Sequence, residues 1–154
     1  MADKSIVVYK GARRLFLMED GDVVAEFPIA LGTCPEGTKE IEGDGKTPEG
    51  DFYIALKNPK SSFHLSLALS YPSPLDAERG LADGLISTEE NEAILDAHLR
   101  SALPPQKTKL GGEIYIHGGG IDKDWTRGCV AVKNEDMDAV YEFADKGMSV
   151  QILP

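Results

Sequence analysis

The sequence predicts a mainly β domain with inserted helices, and two kinds of pattern lead to this fold class. Most of the chain consists of short runs in which apolar and polar residues alternate, as in strands with one buried face. Turns rich in Gly and Pro separate these runs, and only two segments carry apolar residues at helical spacing. With 154 residues and 42% hydrophobic content, the chain can bury one core. We therefore expect a single domain, residues 1–154, built on a closed or sandwiched sheet.

The first half of the chain contains five predicted strands and one long loop. The strands are residues 5–9, 13–18, 23–31, 51–57 and 63–69, and an Asp-Gly pair predicts a hairpin between the second and the third. The Gly-, Pro- and charge-rich residues between the third and fourth strands form the loop. Loops of this length are uncommon in compact domains unless they have a function, so we expect this one to border the functional site.

Two segments break the strand pattern and predict helices. Residues 75–103 contain a capping box that begins at Ser87 and is followed by one apolar helical face. Near the C-terminus, Asn134 is predicted to cap a second helix. The remaining strands are predicted at residues 113–116 and 149–153.

Charge and composition exclude several classes of function. The net charge is −10, from 26 acidic and 16 basic residues, which disfavours nucleic acid or anionic lipid as a partner. No apolar run approaches the length of a membrane span, and the N-terminus lacks a signal-peptide pattern, so either no export signal is made or a leader was removed. The chain has no Cys-x-x-Cys or His-x-x-x-His pair, so we predict no metal site and no cofactor.

The most informative segment is residues 113–132, EIYIHGGGIDKDWTRGCVAV. A predicted strand ends on His117, three glycines follow, and Cys129 begins a second apolar run. A thiol attacks as the thiolate, and a nearby imidazole can accept its proton. Backbone N–H groups in a Gly-flanked turn can stabilise the oxyanion that forms. These residue types indicate a cysteine acyl-transfer enzyme with Cys129 as nucleophile and His117 as base.

Simpler explanations exist for both residues. Cys129 can be a buried structural thiol and His117 a satisfied core histidine, but the glycines beside each favour catalysis. Two cysteines are too few for a disulfide scaffold, so we expect Cys34 and Cys129 to be free, with Cys34 at the edge of the long loop and without a role. Two other motifs are incomplete. Residues 43–47 lack the first glycine of a phosphate-binding loop. The His-Gly-Gly-Gly run is similar to the oxyanion motif of serine esterases, but the chain lacks the Gly-x-Ser-x-Gly motif that those enzymes also need.

The frame His-Gly…Asp-Trp-Thr-x-Gly-Cys-Val-Ala-Val-x-Asn resembles the L,D-transpeptidase (YkuD-type) catalytic domain. The upstream segments GDGKTPEGDFYI and SSFHLSLALSYP are similar to that family too, so the resemblance covers about residues 5–153. It implies a β-sandwich and a cysteine enzyme that cleaves peptidoglycan stem peptides after the third, L-centred residue. The acyl group then passes to an amine or to water. The resemblance also implies a location in the bacterial cell envelope, where an envelope protein can be the acceptor or the linked substrate.

The resemblance assigns roles residue by residue. Cys129 is the expected nucleophile and His117 the base, with the carbonyl of Gly118 orienting the imidazole. Backbone N–H groups of Arg127, Gly128 and Cys129 are expected to form the oxyanion hole, and the Thr126 hydroxyl to brace this turn.

Substrate recognition is where the chain departs from the family. Position 131 is alanine where many relatives have an arginine, and Arg127, in a position often filled by histidine, is expected to replace that positive charge. His64, Tyr71 and Trp125 are further candidates for contact with the substrate. For each of them a packing role is the alternative, and for Trp125 packing beneath the loop is favoured.

Three functions remain open at this point. The protein is either a transferase that joins stem peptides, a hydrolase with the same chemistry, or a peptidoglycan-binding module without activity. The hydrolase includes an L,D-carboxypeptidase and an amidase that releases a linked protein. The intact His117 and Cys129 pair speaks against the binding module.

Overall fold

The computed structural model describes residues 3–154, and these residues form eight strands and three helices. The strands are β1 (Lys4–Tyr9), β2 (Arg14–Glu19), β3 (Asp22–Pro28), β4 (Gly50–Ser61), β5 (His64–Leu69), β6 (Tyr115–His117), β7 (Val130–Ala131) and β8 (Ser149–Leu153). The helices are α1 (Pro74–Ala82), α2 (Thr88–Leu99) and α3 (Asn134–Phe143). The predicted fold class, mainly β with inserted helices, is confirmed.

The strands form one mixed sheet in the order β3-β2-β1-β8-β4-β5-β6-β7. The β1–β8 and β6–β7 pairs are parallel, and the other pairs are antiparallel. β4 pairs first with β8 and then with β5, and its register with β5 shifts between Ile54 and Leu56. Bridges from Ala30 to Ala131 and from Gly32 to Thr126 connect the two ends of this order. The sheet therefore folds back on itself around one core.

That core is made by both halves of the sheet and by α3. Alternate residues of each strand face inward, as the period of two requires. Its fully buried members include Ile6, Val8, Ile116, Val130, Met137, Val140 and Val150. Because β6 and β7 direct Ile116 and Val130 into the core, the residues on either side of these two face the opposite way.

The insert between β5 and β6 contains two helices rather than the single one predicted. α2 has the predicted capping box at Ser87, and α1 has a second box in which Ser73 and Asp76 bond each other's backbone. Asp replaces the usual Glu or Gln in this second box, and Gly80 interrupts the helical pattern, so the sequence signal was weak. No helix within residues 3–154 is both long and apolar enough to cross a membrane.

Three predicted boundaries were wrong, and each correction affects the site. β6 begins at Tyr115 because Glu113 has a φ of 56°, a left-handed conformation that cannot continue a strand. α3 is capped by Lys133, not Asn134, and has no side-chain cap bond. β4 runs to Ser61, so its hairpin with β5 extends further than predicted.

Candidate active site

Strands β6 and β7 position the predicted base and nucleophile. They are parallel, with Ile116 opposite Val130 and His117 opposite Ala131. Cys129 immediately precedes β7, two residues before Ala131, so its side chain is on the same face as that of His117. Diagonal neighbours on one face of adjacent strands are within reach of long side chains. The structure therefore brings His117 and Cys129 onto one face of two adjacent strands.

The imidazole of His117 is held in one tautomer. Its Nδ1 donates to the carbonyl oxygen of Gly118 at 2.5 Å. Since a carbonyl only accepts, Nδ1 carries the hydrogen and Nε2 keeps its lone pair. The side chain is only 2% exposed, and this burial lowers the pKa of His117, while the bond to Gly118 acts in the opposite direction. His117 is thus a neutral imidazole whose Nε2 can accept a proton.

The thiol of Cys129 is protonated and bonded to the main chain of residues 113 and 115. Its Sγ accepts from the backbone N–H of Tyr115 and donates to the carbonyl of Glu113, both at 3.3 Å. Cys129 is 9% exposed, and burial raises the pKa of its thiol to about 11, while the bond from the Tyr115 N–H acts in the opposite direction. No hydrogen bond joins Sγ to His117 among the described residues, so the thiol would have to leave the Glu113 carbonyl to give its proton to the imidazole.

The turn before Cys129 is built on one hydroxyl and one glycine. Thr126 Oγ1 donates to the carbonyl of Cys129 at 2.7 Å and accepts from the N–H of Gly128 at 3.1 Å. Gly128 has a φ of 136°, and a Cβ there would lie 2.8 Å from the Lys46 carbonyl oxygen, so this position requires glycine.

The same hydrogen bond changes the expected set of oxyanion donors. The N–H of Gly128 was predicted to be a donor, but it is already bonded to Thr126. The N–H groups of Arg127 and Cys129 have no acceptor within residues 3–154. These two remain as candidates for an oxyanion hole.

Replacing Thr126 by valine should weaken both the turn and the activity. Valine keeps the shape but leaves the Gly128 N–H and the Cys129 carbonyl unpaired in a buried turn. We expect a loss of about 1–3 kcal/mol in the free energy of unfolding, measured by urea denaturation. Thr126→Ser keeps the hydroxyl and is the matched control. Equal stability of the Val and Ser variants would contradict this role.

The loop at residues 118–126 is anchored by two side chains. Asn134 Oδ1 accepts from the N–H of Gly119 at 2.9 Å, and Trp125 Nε1 donates to the carbonyl of Gly120 at 3.0 Å. The sequence predicted Asn134 only as a helix cap. Its position at the end of the Gly-Cys-Val-Ala-Val-x-Asn frame was the signal that could have predicted a role for Asn134 in the site as well.

The long loop at residues 32–50 borders the site and contains a buried lysine that sequence reasoning missed. Lys39 Nζ donates to Asp44 Oδ1 at 3.0 Å and to the carbonyl of Ile41 at 3.1 Å. Its positive charge acts to lower the pKa of Cys129, although burial of the thiol outweighs it. A lone lysine in a charged loop gave no sequence signal for this position.

Tyr71 was a candidate for contact with the substrate, with packing as the alternative, and the structure places it in the core. Its side chain is fully buried in the core, and its hydroxyl donates to the carbonyl of Leu110 at 2.6 Å. Burial accordingly raises the pKa of Tyr71. A large aromatic ring with its one polar atom satisfied inside the protein presents no surface to a substrate.

His64 and Arg127 lie at the surface near the site. His64 Nε2 is 2.6 Å from Asp138 Oδ1, so its imidazole joins the β4–β5 hairpin to α3. Arg127 is exposed, and no ion pair within residues 3–154 includes it. Arg127 can therefore bind an anion from solution, whereas the imidazole of His64 already pairs with Asp138 of the same chain.

An aromatic cluster surrounds the imidazole, and one of its members was missed. Phe63, at the tip of the β4–β5 hairpin, stacks on His117 with ring centroids 4.6 Å apart and planes 23° apart. Trp125 contacts both rings, 5.5 Å from His117 and 5.4 Å from Phe63. Beside them is an open groove of about 420 Å³. It is lined by Phe63, Gly119, Gly120, Asp122, Lys123 and Trp125.

The fold and the site place the protein among mainly β domains that carry a cysteine and a histidine on one face of adjacent strands. The chain belongs to the L,D-transpeptidase catalytic-domain family, YkuD, whose model matches residues 3–152. Comparison with curated protein sequences gave no significant match.

Solved structures support the same fold. The cell shape determining protein Pgp2 of Campylobacter jejuni superposes with a TM-score of 0.67 at 27% identity, covering 98% of this chain and 47% of that one. Bd1075 of Bdellovibrio bacteriovorus gives 0.65 at 19% identity, covering 99% and 48%. An L,D-transpeptidase of Mycobacterium smegmatis gives 0.60 at 12% identity, covering 99% and 59%. The chain thus spans about half the length of the Pgp2 and Bd1075 chains.

Proposed function

We propose that the protein is a cysteine acyltransferase that acts on peptidoglycan stem peptides. It cleaves the bond after the third, L-centred residue through a Cys129 thioester and passes the acyl group to an amine, as an L,D-transpeptidase. The observation that carries this proposal is the paired geometry of the site. His117 and Cys129 share one face of β6 and β7, and the Gly118 carbonyl fixes the tautomer that leaves Nε2 available.

The first half of the reaction forms the thioester. Cys129 turns from the Glu113 carbonyl to His117, transfers its proton to Nε2, and Sγ attacks the substrate carbonyl carbon. The backbone N–H groups of Arg127 and Cys129 stabilise the oxyanion. When the intermediate collapses, the C–N bond breaks and Nε2 returns the proton to the leaving amine. Because the thiol pKa is about 11, proton transfer to His117 accompanies the attack rather than preceding it at equilibrium.

The second half of the reaction transfers the acyl group to the acceptor and frees Cys129. The acceptor amine gives a proton to Nε2 of His117 and attacks the thioester carbonyl, and an amide bond forms. The C–S bond then breaks, and the thiolate of Cys129 takes the proton back from Nε2. Exposed Arg127 is the residue proposed to bind a substrate carboxylate. Trp125, which lines the groove beside His117, and exposed His64 are proposed as further substrate contacts.

A second candidate uses water as the acceptor, as an L,D-carboxypeptidase or an amidase does. The observation that favours it is the low exposure of Cys129 and His117. A water molecule needs far less room beside the thioester than a second peptide does. The chemical steps and the residues are otherwise the same.

The relatives favour a role in the bacterial cell envelope. Pgp2, at 27% identity, is described as a helical cell shape determining protein. We propose that this protein acts on envelope peptidoglycan, with stem peptides as its partners and an envelope protein as an additional acceptor or linked substrate.

Incubation with purified tetrapeptide muropeptides distinguishes the two candidates. A transferase should yield cross-linked dimers and free D-Ala, measured by chromatography and mass spectrometry, whereas a hydrolase should yield tripeptides and D-Ala only. Cys34→Ala is the matched control because Cys34 is the other free cysteine and is exposed. If neither set of products forms, while the Cys34→Ala variant behaves like the wild type, the proposed activity is wrong.

A further inference from the structure

We propose that Phe63, backed by Trp125, is a positioning residue that holds the imidazole of His117 and stabilises its protonated form during the reaction. This inference rests on the proposed function, because it concerns the same base. It adds a residue that lies in a separate hairpin, far in sequence from both the Gly-Cys turn and the histidine.

The geometry of the rings is the first support. The Phe63 ring lies nearly parallel to the imidazole, with centroids 4.6 Å apart and an angle of 23° between the planes. A cation within about 6 Å of a ring face is attracted by the negative face of the π-system. Trp125 is tilted by 62° against both rings and supports Phe63 from the side.

The second support is that a protonated His117 has few other groups nearby that could stabilise its charge. Nδ1 bonds the Gly118 carbonyl, and no carboxylate is bonded to the ring among the described residues. Burial disfavours the imidazolium and lowers the pKa of His117. Yet the ring must carry a positive charge after it takes the thiol proton. Aromatic faces and one carbonyl are the groups available to stabilise that charge.

Packing in the core does not explain the position of Phe63. It is 44% exposed and is absent from the buried core. The hairpin tip is nevertheless pinned in place: the Phe63 N–H donates to Ser61 Oγ, and His64 pairs with Asp138 on α3. A Cβ on Gly118 would lie 2.8 Å from the Phe63 carbonyl oxygen, so the glycine lets the tip approach the base.

The charged residues of the hairpin strands are Asp51, Lys57, Lys60 and His64, and those of α3 are Glu135, Asp136, Asp138 and Glu142. Among them, His64 and Asp138 pair with each other. On the groove side the charged residues are Asp122 and Lys123, and the titratable Cys129 immediately precedes β7. A change at Phe63 alters none of these charges. A shift in the titration of His117 in a Phe63 variant would therefore report the contact between the rings.

The test compares Phe63→Leu, which keeps apolar bulk without a π-face, with Phe63→Tyr, which keeps the face. All variants carry Cys34→Ala, so that Cys129 is the only cysteine, and Phe16→Leu on β2 is the matched control. The readouts are the rate of Cys129 alkylation by iodoacetamide against pH and the titration of the His117 ring by NMR. The protein has three histidines, and a His117→Ala sample assigns the signal.

We expect Phe63→Leu to slow alkylation at neutral pH about 3- to 30-fold and to move the His117 titration to lower pH. Phe63→Tyr and Phe16→Leu should behave like the parent. An unchanged Phe63→Leu variant, or a slow variant that Phe63→Tyr does not restore, would overturn the inference. If His117→Ala also leaves alkylation unchanged, the assignment of the base itself fails. If only the Phe63 result fails, the proposed function stands.

Discussion

Replacing Cys129 by alanine should lower turnover of tetrapeptide muropeptides by about 10⁴-fold or more, to the level of the assay background. The thioester cannot form without Sγ, and the other free cysteine, Cys34, is exposed and lies in the loop at residues 32–50. The measurement is product formation by chromatography under single-turnover and steady-state conditions.

The substitution should leave the fold intact, which makes the result interpretable. Sγ makes only two long contacts, with the Tyr115 N–H and the Glu113 carbonyl at 3.3 Å, and alanine fits the same space. The melting temperature of Cys129→Ala is therefore expected to remain close to that of the wild type, as is that of Cys34→Ala. Turnover retained in a folded Cys129→Ala variant would rule out the thioester mechanism.

Replacing His117 by alanine should lower turnover about 10²- to 10⁴-fold and change its dependence on pH. Without the base, the thiol must ionise by itself, and its pKa is raised to about 11 by burial. Alkylation of Cys129 in this variant should then rise about tenfold per pH unit from about pH 7 to about pH 10. Levelling off near pH 9, as expected for an ordinary thiol with a pKa of about 8.5, would contradict the burial of the thiol as described.

Turnover by the wild type should depend on pH on the acid side, through the protonation of His117. The base works only as neutral imidazole, and burial moves the pKa of His117 below its usual value of 6.5. A lowered pKa means that the imidazole becomes protonated only at more acidic pH. The fall of kcat toward acid pH should therefore have its midpoint below pH 6.5. A midpoint above pH 6.5 would show that the ring is more easily protonated than its burial implies.

The sequence was sufficient for the fold class and for placing His117 and Cys129 side by side, for a physical reason. Both depend on short-range patterns: alternation along strands, turn residues, and a histidine and cysteine within one segment of twenty residues, 113–132. Because His117 ends β6 and Cys129 immediately precedes the neighbouring strand β7, a local pattern was enough to bring them together. The capping box at Ser87 was equally local and was predicted correctly.

The remaining features depend on contacts between distant parts of the chain. Phe63 reaches His117 only because β4 is longer than its alternation suggests and pairs with β5. Lys39 approaches the thiol through the folding of a loop without regular structure. Tyr71 follows a strand, and nothing local distinguishes a core tyrosine from one that lines a cleft. Sequence patterns report which face of an element is apolar but not which distant element covers it.

Intact-mass spectrometry after incubation with a carbapenem tests the central claim most directly. Opening of the lactam ring by a thiolate adds the whole drug to the protein, and no physiological acceptor is needed. A Cys129 nucleophile activated by His117 predicts one adduct per chain, mapped by peptide digestion to Cys129, absent in Cys129→Ala and slowed strongly in His117→Ala. An unmodified wild-type protein, or an adduct that persists in Cys129→Ala, would contradict it.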